Sequence, residues 1–287
     1  MLWFPLSLLA ALSMATVDAM TKRFYNDLSP YEMAMIRLMY TLPWLIGALF
    51  FIPSARPDAI FFISVASGLP LEICALYSYM KAIKVSPLSL TLPFLAFTPA
   101  FIILTGWILL GERLRITGIA GIILIVTGSY CLNISSIKGG FFAPIKAVFK
   151  EPGSRLMLLV SWIYSITSVI GKIGVLHSNP YFFASTYFIA LFLLMSALMP
   201  FMTRVTVKRL RGFNFKGLIL GAIYAIMIFS HMLAISQVEA AYMVSIKRTS
   251  LLFGILYGAW WFREERIGER LLGAIIMLAG VFLIGFF

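Results

Sequence analysis

The chain has 287 residues, of which 61% are hydrophobic and 12% charged. That is more apolar surface than one soluble core of this size buries, so a bilayer is the expected solvent. The formal charge of +12 comes from 23 Lys and Arg against 11 Asp and Glu; in an apolar chain it reads as membrane topology and lipid headgroup contact, and no nucleic-acid partner is expected.

A span takes about 20 apolar residues, so ten would use roughly 200 and leave only short connections. The first run, 2–21, has no Lys or Arg before it and Lys22-Arg23 after it. This is unlike a cleaved signal peptide, and the run is expected to remain as the first span. Asp18 and Lys22 near its end have the four-residue spacing of an interfacial helix ion pair. Further spans are expected at 31–53, 58–80, 87–110, 115–134, 155–175, 180–203, 216–236, 240–262 and 269–287. Arg37, six residues into the second span, and Lys172, near the end of the sixth, are expected to snorkel to headgroups. Cys74 and Cys131 fall in apolar runs and read as small hydrophobes.

The longest connection, 138–154, holds Gly139, Gly140, Pro144, Pro152, Gly153 and three lysines, a composition that does not continue a membrane helix. It divides the chain into a first five-helix repeat, 1–137, and a second, 155–287. The halves echo each other: Glu112-Arg113 corresponds to Glu265-Arg266, and Gly121 and Gly128 to Gly273 and Gly280 after a one-residue gap. Because each half has an odd number of spans, equivalent ends lie on opposite sides. The expected fold is therefore an all-α membrane protein of ten transmembrane helices in two inverted five-helix repeats, the plan of many secondary transporters.

This pattern resembles the EamA-type members of the drug/metabolite transporter (DMT) superfamily, whose halves end in a proline-containing fourth span, a Gly-Glu-Arg turn and a glycine-bearing fifth span. The first half carries it in Val85-Ser86-Pro87, Pro93, Pro99 and Gly111-Glu112-Arg113. The second lacks the prolines in span nine and has Glu264 where the Gly would stand. The resemblance implies metabolite transport across a membrane. Odd-numbered loops hold 16 Lys and Arg against 4 in the even ones. The positive-inside rule then puts both termini outward, opposite to the cytoplasmic termini usual among ten-span relatives. A prokaryotic inner membrane is the expected location.

An ionisable side chain inside a span carries an insertion penalty of roughly 2.5–3.5 kcal/mol, which makes each one a candidate for function. Lys247 and Arg248 lie seven and eight residues into span nine. Neighbouring positions differ by about 100° on a helix, so the two share one arc and form an anion clamp with Ser245 nearby. VSIKRTS (244–250) is also similar to the Lys-Arg signature of triose-phosphate translocators, which implies that Lys247 and Arg248 hold a phosphate. The alternative for the pair is a structural partnership with a buried carboxylate such as Glu72. Glu72, two residues after Pro70, would take an amino group or a coupling proton. His231 in span eight would titrate or bond the solute. Tyr224 and Tyr242 are candidate cavity residues by nearness. Gly217/Gly221 and Gly254/Gly258 are small-xxx-small pairs for close helix approach, within the bundle or between subunits.

No HExxH, Walker A or dinucleotide-binding glycine motif occurs, so no cofactor, metal or enzymatic activity is expected. The expected function is secondary transport of a small polar metabolite bearing a carboxylate or phosphate, by alternating access. The alternative is a translocase for a lipid-linked sugar or phospholipid headgroup. The expected partners are a small-molecule substrate and membrane lipids, and the chain is expected as a monomer or homodimer.

Overall fold

The computed structural model describes residues 2–52, 56–110, 116–132, 142–202 and 214–286. Among them every regular element is helical: α1 (Trp3–Tyr25), α2 (Pro30–Leu49), α3 (Ala59–Val85), α4 (Leu88–Thr91), a 3-10 stretch (Leu92–Ala96), α5 (Phe97–Leu110), α6 (Ile116–Cys131), α7 (Ala143–Lys150), α8 (Pro152–Leu176), α9 (Pro180–Met202), α10 (Phe215–Ile235), α11 (Ala240–Lys247), α12 (Ser250–Phe262) and α13 (Ile267–Phe286). Among the described residues, six stretches are long and apolar enough to cross a membrane: Trp3–Tyr25, Ala59–Val85, Leu88–Leu109, Pro152–Leu176, Pro180–Met202 and Phe215–Ile235.

Local chemistry fixes where these helices start. Ser29 and Glu32 form a reciprocal capping box at α2, with Pro30 in its first turn. Asp58 accepts the Phe61 N–H at the start of α3, Glu151 accepts from Gly153 and Ser154 at α8, and Asn214 accepts from Lys216 at α10. Each bond satisfies a donor that the first helical turn leaves unpaired.

The expected spans need three corrections. The runs 87–110 and 240–262 are not continuous helices. The first passes through the 3-10 stretch at Leu92–Ala96, where Pro93 has no N–H to donate; the second breaks between α11 and α12 at Arg248-Thr249. The first span runs four residues past 21, to Tyr25, and the third five past 80, to Val85. The connection 138–154 contains α7 and the first turn of α8. Gly111-Glu112-Arg113 lies outside the described residues.

The outer surface of the bundle is apolar, and a few charged side chains are enclosed within its largely hydrophobic core. Phe62, Ile63, Trp107, Ile108, Ile123 and Leu193 are exposed, while Asp18, Arg37 and Arg248 are buried. Helix pairing is symmetric under exchange of the halves: α1 lies on α10 as α8 lies on α3, α2 pairs with α9, and α6 pairs with α13. The glycines matched by sequence meet on that last seam. A Cβ at Gly128 would stand 2.6 Å from the Gly273 carbonyl oxygen, and one at Gly280 2.5 Å from that of Gly121. Gly221 lies against the Tyr40 backbone and Gly254 against Leu92, so these small residues serve contacts within the bundle.

Candidate functional site

A cavity of about 100 Å³ opens between the halves, with walls drawn from α1, α3, α8, α9, α10 and α11. Glu72 reaches it from α3, two residues past the internal Pro70, and Tyr164 and Thr167 from α8. Phe183, Tyr187 and Phe188 of α9 form an aromatic wall, and Tyr224 and His231 come from α10. Lys247 and Arg248 enter where α11 ends, so the helix break brings both cations to the same space.

The Lys247 Nζ and His231 Nδ1 atoms are 2.9 Å apart. With Lys247 as the ammonium, it donates and the imidazole accepts on Nδ1, which fixes the His231 proton on Nε2. Arg248 is buried and its Nε has no hydrogen-bond partner in the protein. A buried donor left unpaired carries a penalty of about 1–3 kcal/mol, more for a charged group, which an anionic acceptor would relieve. Glu72 is the carboxylate among the lining residues. The chemistry is thus two cations and a histidine facing one acid, inside an aromatic shell.

Five of the seven sequence-derived candidates line this cavity: Lys247, Arg248, Glu72, His231 and Tyr224. Tyr242 and Ser245 do not. Tyr242 is half-buried elsewhere on α11, and Ser245 is fully buried with its hydroxyl unpartnered. Tyr164, Thr167 and Tyr187 were not singled out in the sequence, because an uncharged side chain in an apolar run gives no signal of which way it points.

Two readings from the sequence are overturned beside the cavity. Arg37 does not snorkel: it is fully buried and its Nη2 bonds Asp18 Oδ1 at 2.9 Å and Thr21 Oγ1 at 3.1 Å. Asp18 is accordingly not the interfacial partner of Lys22. Its other oxygen accepts the Tyr79 hydroxyl at 2.5 Å, while Lys22 donates to the Ser86 carbonyl. The Arg37 guanidinium stands over the Tyr224 ring, 5.2 Å from its centroid, and so supports one wall of the cavity. The two charges are hard to place from sequence because α1 continues past 21, which moves Asp18 two turns inside the helix. Lys172 donates to the Val238 carbonyl at 3.1 Å.

The ends of the bundle differ in how they are tied. At the end where α3, α12 and α1 finish, Glu264 accepts from the Leu88 and Ser89 N–H groups at 2.8 and 3.0 Å and from the Ser89 hydroxyl. Arg270 bonds both Glu264 and Ser89, Ser86 bonds Glu151, and Arg23 donates to the Trp261 carbonyl at 2.8 Å. Arg263 and Arg266 take left-handed backbone conformations, φ 49° and 58°, which turn the chain so that Glu264 faces α4. At the opposite end the halves are linked among the described residues by a hydrogen bond between His177 Nδ1 and Asp58 Oδ2, 2.7 Å apart and solvent-exposed. The Phe61 N–H and His177 hold the Asp58 carboxyl below its usual range.

A helical bundle with an apolar perimeter, a charged interior and a cavity between two related halves is the architecture of a multi-pass membrane transport protein. The profile of the EamA-like transporter family matches residues 1–134 and again 152–286. The chain belongs to that family, and it is an integral membrane protein of the DMT transporter type. A solved structure, described only as a crystal structure of a protein, aligns with a TM-score of 0.66 over 99% of this chain and 96% of that one. At 15% identity that likeness is one of fold. No curated protein matches the sequence.

Proposed function

We propose that the chain is a ten-span secondary transporter, built of two inverted five-helix halves, that moves a small polar solute bearing a carboxylate or phosphate by alternating access. Lys247 and Arg248 are the anion clamp, His231 orients Lys247, and Glu72 receives an amino group of the solute or a coupling proton. The observation that carries this reading is the convergence of Lys247, Arg248, His231 and Glu72 on one cavity between the halves. In a low-dielectric interior two adjacent cations and one acid leave an excess of positive charge, which an anion neutralises. The similarity of residues 244–250 to the triose-phosphate translocator signature supports phosphate among the candidates.

The orientation we propose follows the loop charges, with the Glu264 end cytoplasmic and both termini outward. The state described is then closed to the cytoplasm, where the bonds of Glu264 to Leu88 and Ser89 and of Arg270 to Ser89 join the halves.

The test is a thermal-shift screen of purified protein against organic acids, amino acids, sugar phosphates and lipid headgroups, run in parallel on Lys247→Gln/Arg248→Gln. A ligand stabilises the state that binds it by mass action. The expected result is an anionic ligand that raises the midpoint of the wild type and leaves the double variant unchanged. Equal shifts in both proteins would move the solute site away from the cations.

A further inference from the structure

On the outer surface, away from the cavity, two recesses lie along the seam between α1 and α12. Where these helices end, Arg23, Phe24, Trp260, Trp261, Phe262 and Arg263 line a recess of about 650 Å³. A second hollow, of about 520 Å³, runs back along α12 over Phe253, Leu256, Tyr257, Ala259 and Trp260. Trp260 lines both, so the two recesses adjoin at that side chain, the first cationic and aromatic at the helix ends and the second apolar toward the middle of the span.

The polar end has the chemistry of a phosphodiester site. Arg23 and Arg263 are exposed, no acid is among the lining residues, and Lys216 adds a third cation 4.9 Å from the Phe24 ring centroid. Arg23 is held at the recess by its bond to the Trp261 carbonyl. The apolar end is a hydrocarbon surface: Leu256 is 56% and Trp260 75% exposed, a state that favours acyl chains as neighbours. Tryptophan at a span end is stable at the headgroup level, and cations beside it attract anionic lipid.

We infer that the α1–α12 seam is a binding site for one anionic phospholipid, its phosphodiester between Arg23 and Arg263 and an acyl chain along the α12 groove. The site joins the two halves, since Thr16 of α1 and Tyr257 of α12 share a hydrogen bond at 2.9 Å along the groove. Occupancy therefore favours the form in which α1 and α12 are in contact.

The test uses the full chain in a neutral maltoside detergent, titrated with phosphatidylglycerol, phosphatidylcholine or glycerol phosphate, and read by native mass spectrometry and by the unfolding midpoint. Phosphatidylglycerol is expected to bind as one retained adduct and to raise the midpoint more than phosphatidylcholine does. Each interfacial cation contributes roughly fivefold in affinity, so Arg23→Gln/Arg263→Asn should weaken the adduct about 25-fold. Leu256→Trp fills the apolar end with no change of charge and should also weaken it. Equal effects of the two lipids, an unchanged adduct in the double variant, or a full shift from glycerol phosphate alone would each overturn the site.

Discussion

Arg37 has no access to water, and its charge is held by Asp18, Thr21 and the faces of Tyr79 and Tyr224. Removing one member of a buried pair strands the other, at about 3–5 kcal/mol. Arg37→Gln is therefore expected to lower stability by that order, and Asp18→Leu/Arg37→Met to recover most of it, as measured by thermal unfolding in detergent. If the single variant is as stable as wild type, the pair does not hold α1, α2 and α3 together. The exposed pair at the other end behaves differently. Because the Asp58 carboxyl is depressed, chiefly by the Phe61 N–H and then by His177, its contribution is complete above about pH 4 and is lost as pH falls through the lowered value. Asp58→Asn should lower the midpoint in the neutral region, where that contribution is otherwise complete, and flatten the acid limb, so that the two midpoint-versus-pH curves converge at low pH. Legibility at this scale followed charge. Lys247, Arg248, Glu72 and His231 stood out as ionisable groups in apolar runs. Tyr242, chosen by nearness, lies five residues before Lys247, about 140° round a helix, and so misses the cavity.

Among the elements, the interrupted fourth helices and the α6–α13 seam do the most to place the site. Pro93 supplies a physical reason for the break in the first half, although 87–110 read as one span in the sequence, and nothing in Lys247-Arg248-Thr249 signals the second. There the sequence holds no proline, and the Arg248 N–H still bonds the Val244 and Ser245 carbonyls at 3.1 Å. The glycine matches were legible as a repeat, though not as direct contacts, since a one-dimensional echo does not say which helix faces which. The seam yields a graded prediction. Gly128→Ala puts a methyl against the Gly273 carbonyl, where backbone must shift, and is expected to destabilise by about 1–3 kcal/mol. Gly47→Ala in α2 meets nothing within 4 Å and should be neutral or slightly stabilising, given the helix propensity of alanine. Both are measured as midpoints in the same detergent. Equal midpoints for the two variants would mean that α6 and α13 are not in backbone contact.

For the whole molecule, alternating access requires one end to release while the other closes, and Glu264 is where the described end is fastened. Its carboxylate caps α4 through Leu88 and Ser89 and is itself held by Arg270, so one side chain joins the start of the broken fourth helix to the turn between α12 and α13. Glu264→Ala frees the α4 donors and removes the acid that Arg270 bonds, and among the described residues no other carboxylate bonds those two amides. The expected outcome is a shift of population toward a form open at that end. The measurement uses Ser168→Cys, which lines the cavity, in a background where Cys74 and Cys131 are serine. A membrane-impermeant thiol reagent is applied from either face of sealed vesicles. With Glu264 present, labelling from the Glu264 face should be slow. With alanine it should rise by an order of magnitude, as release of roughly 1.4 kcal/mol of closing energy requires, and labelling from the opposite face should fall. Unchanged labelling from both faces would mean that the ties at Glu264 fix the turn alone and that the closure lies in the helix packing around the cavity.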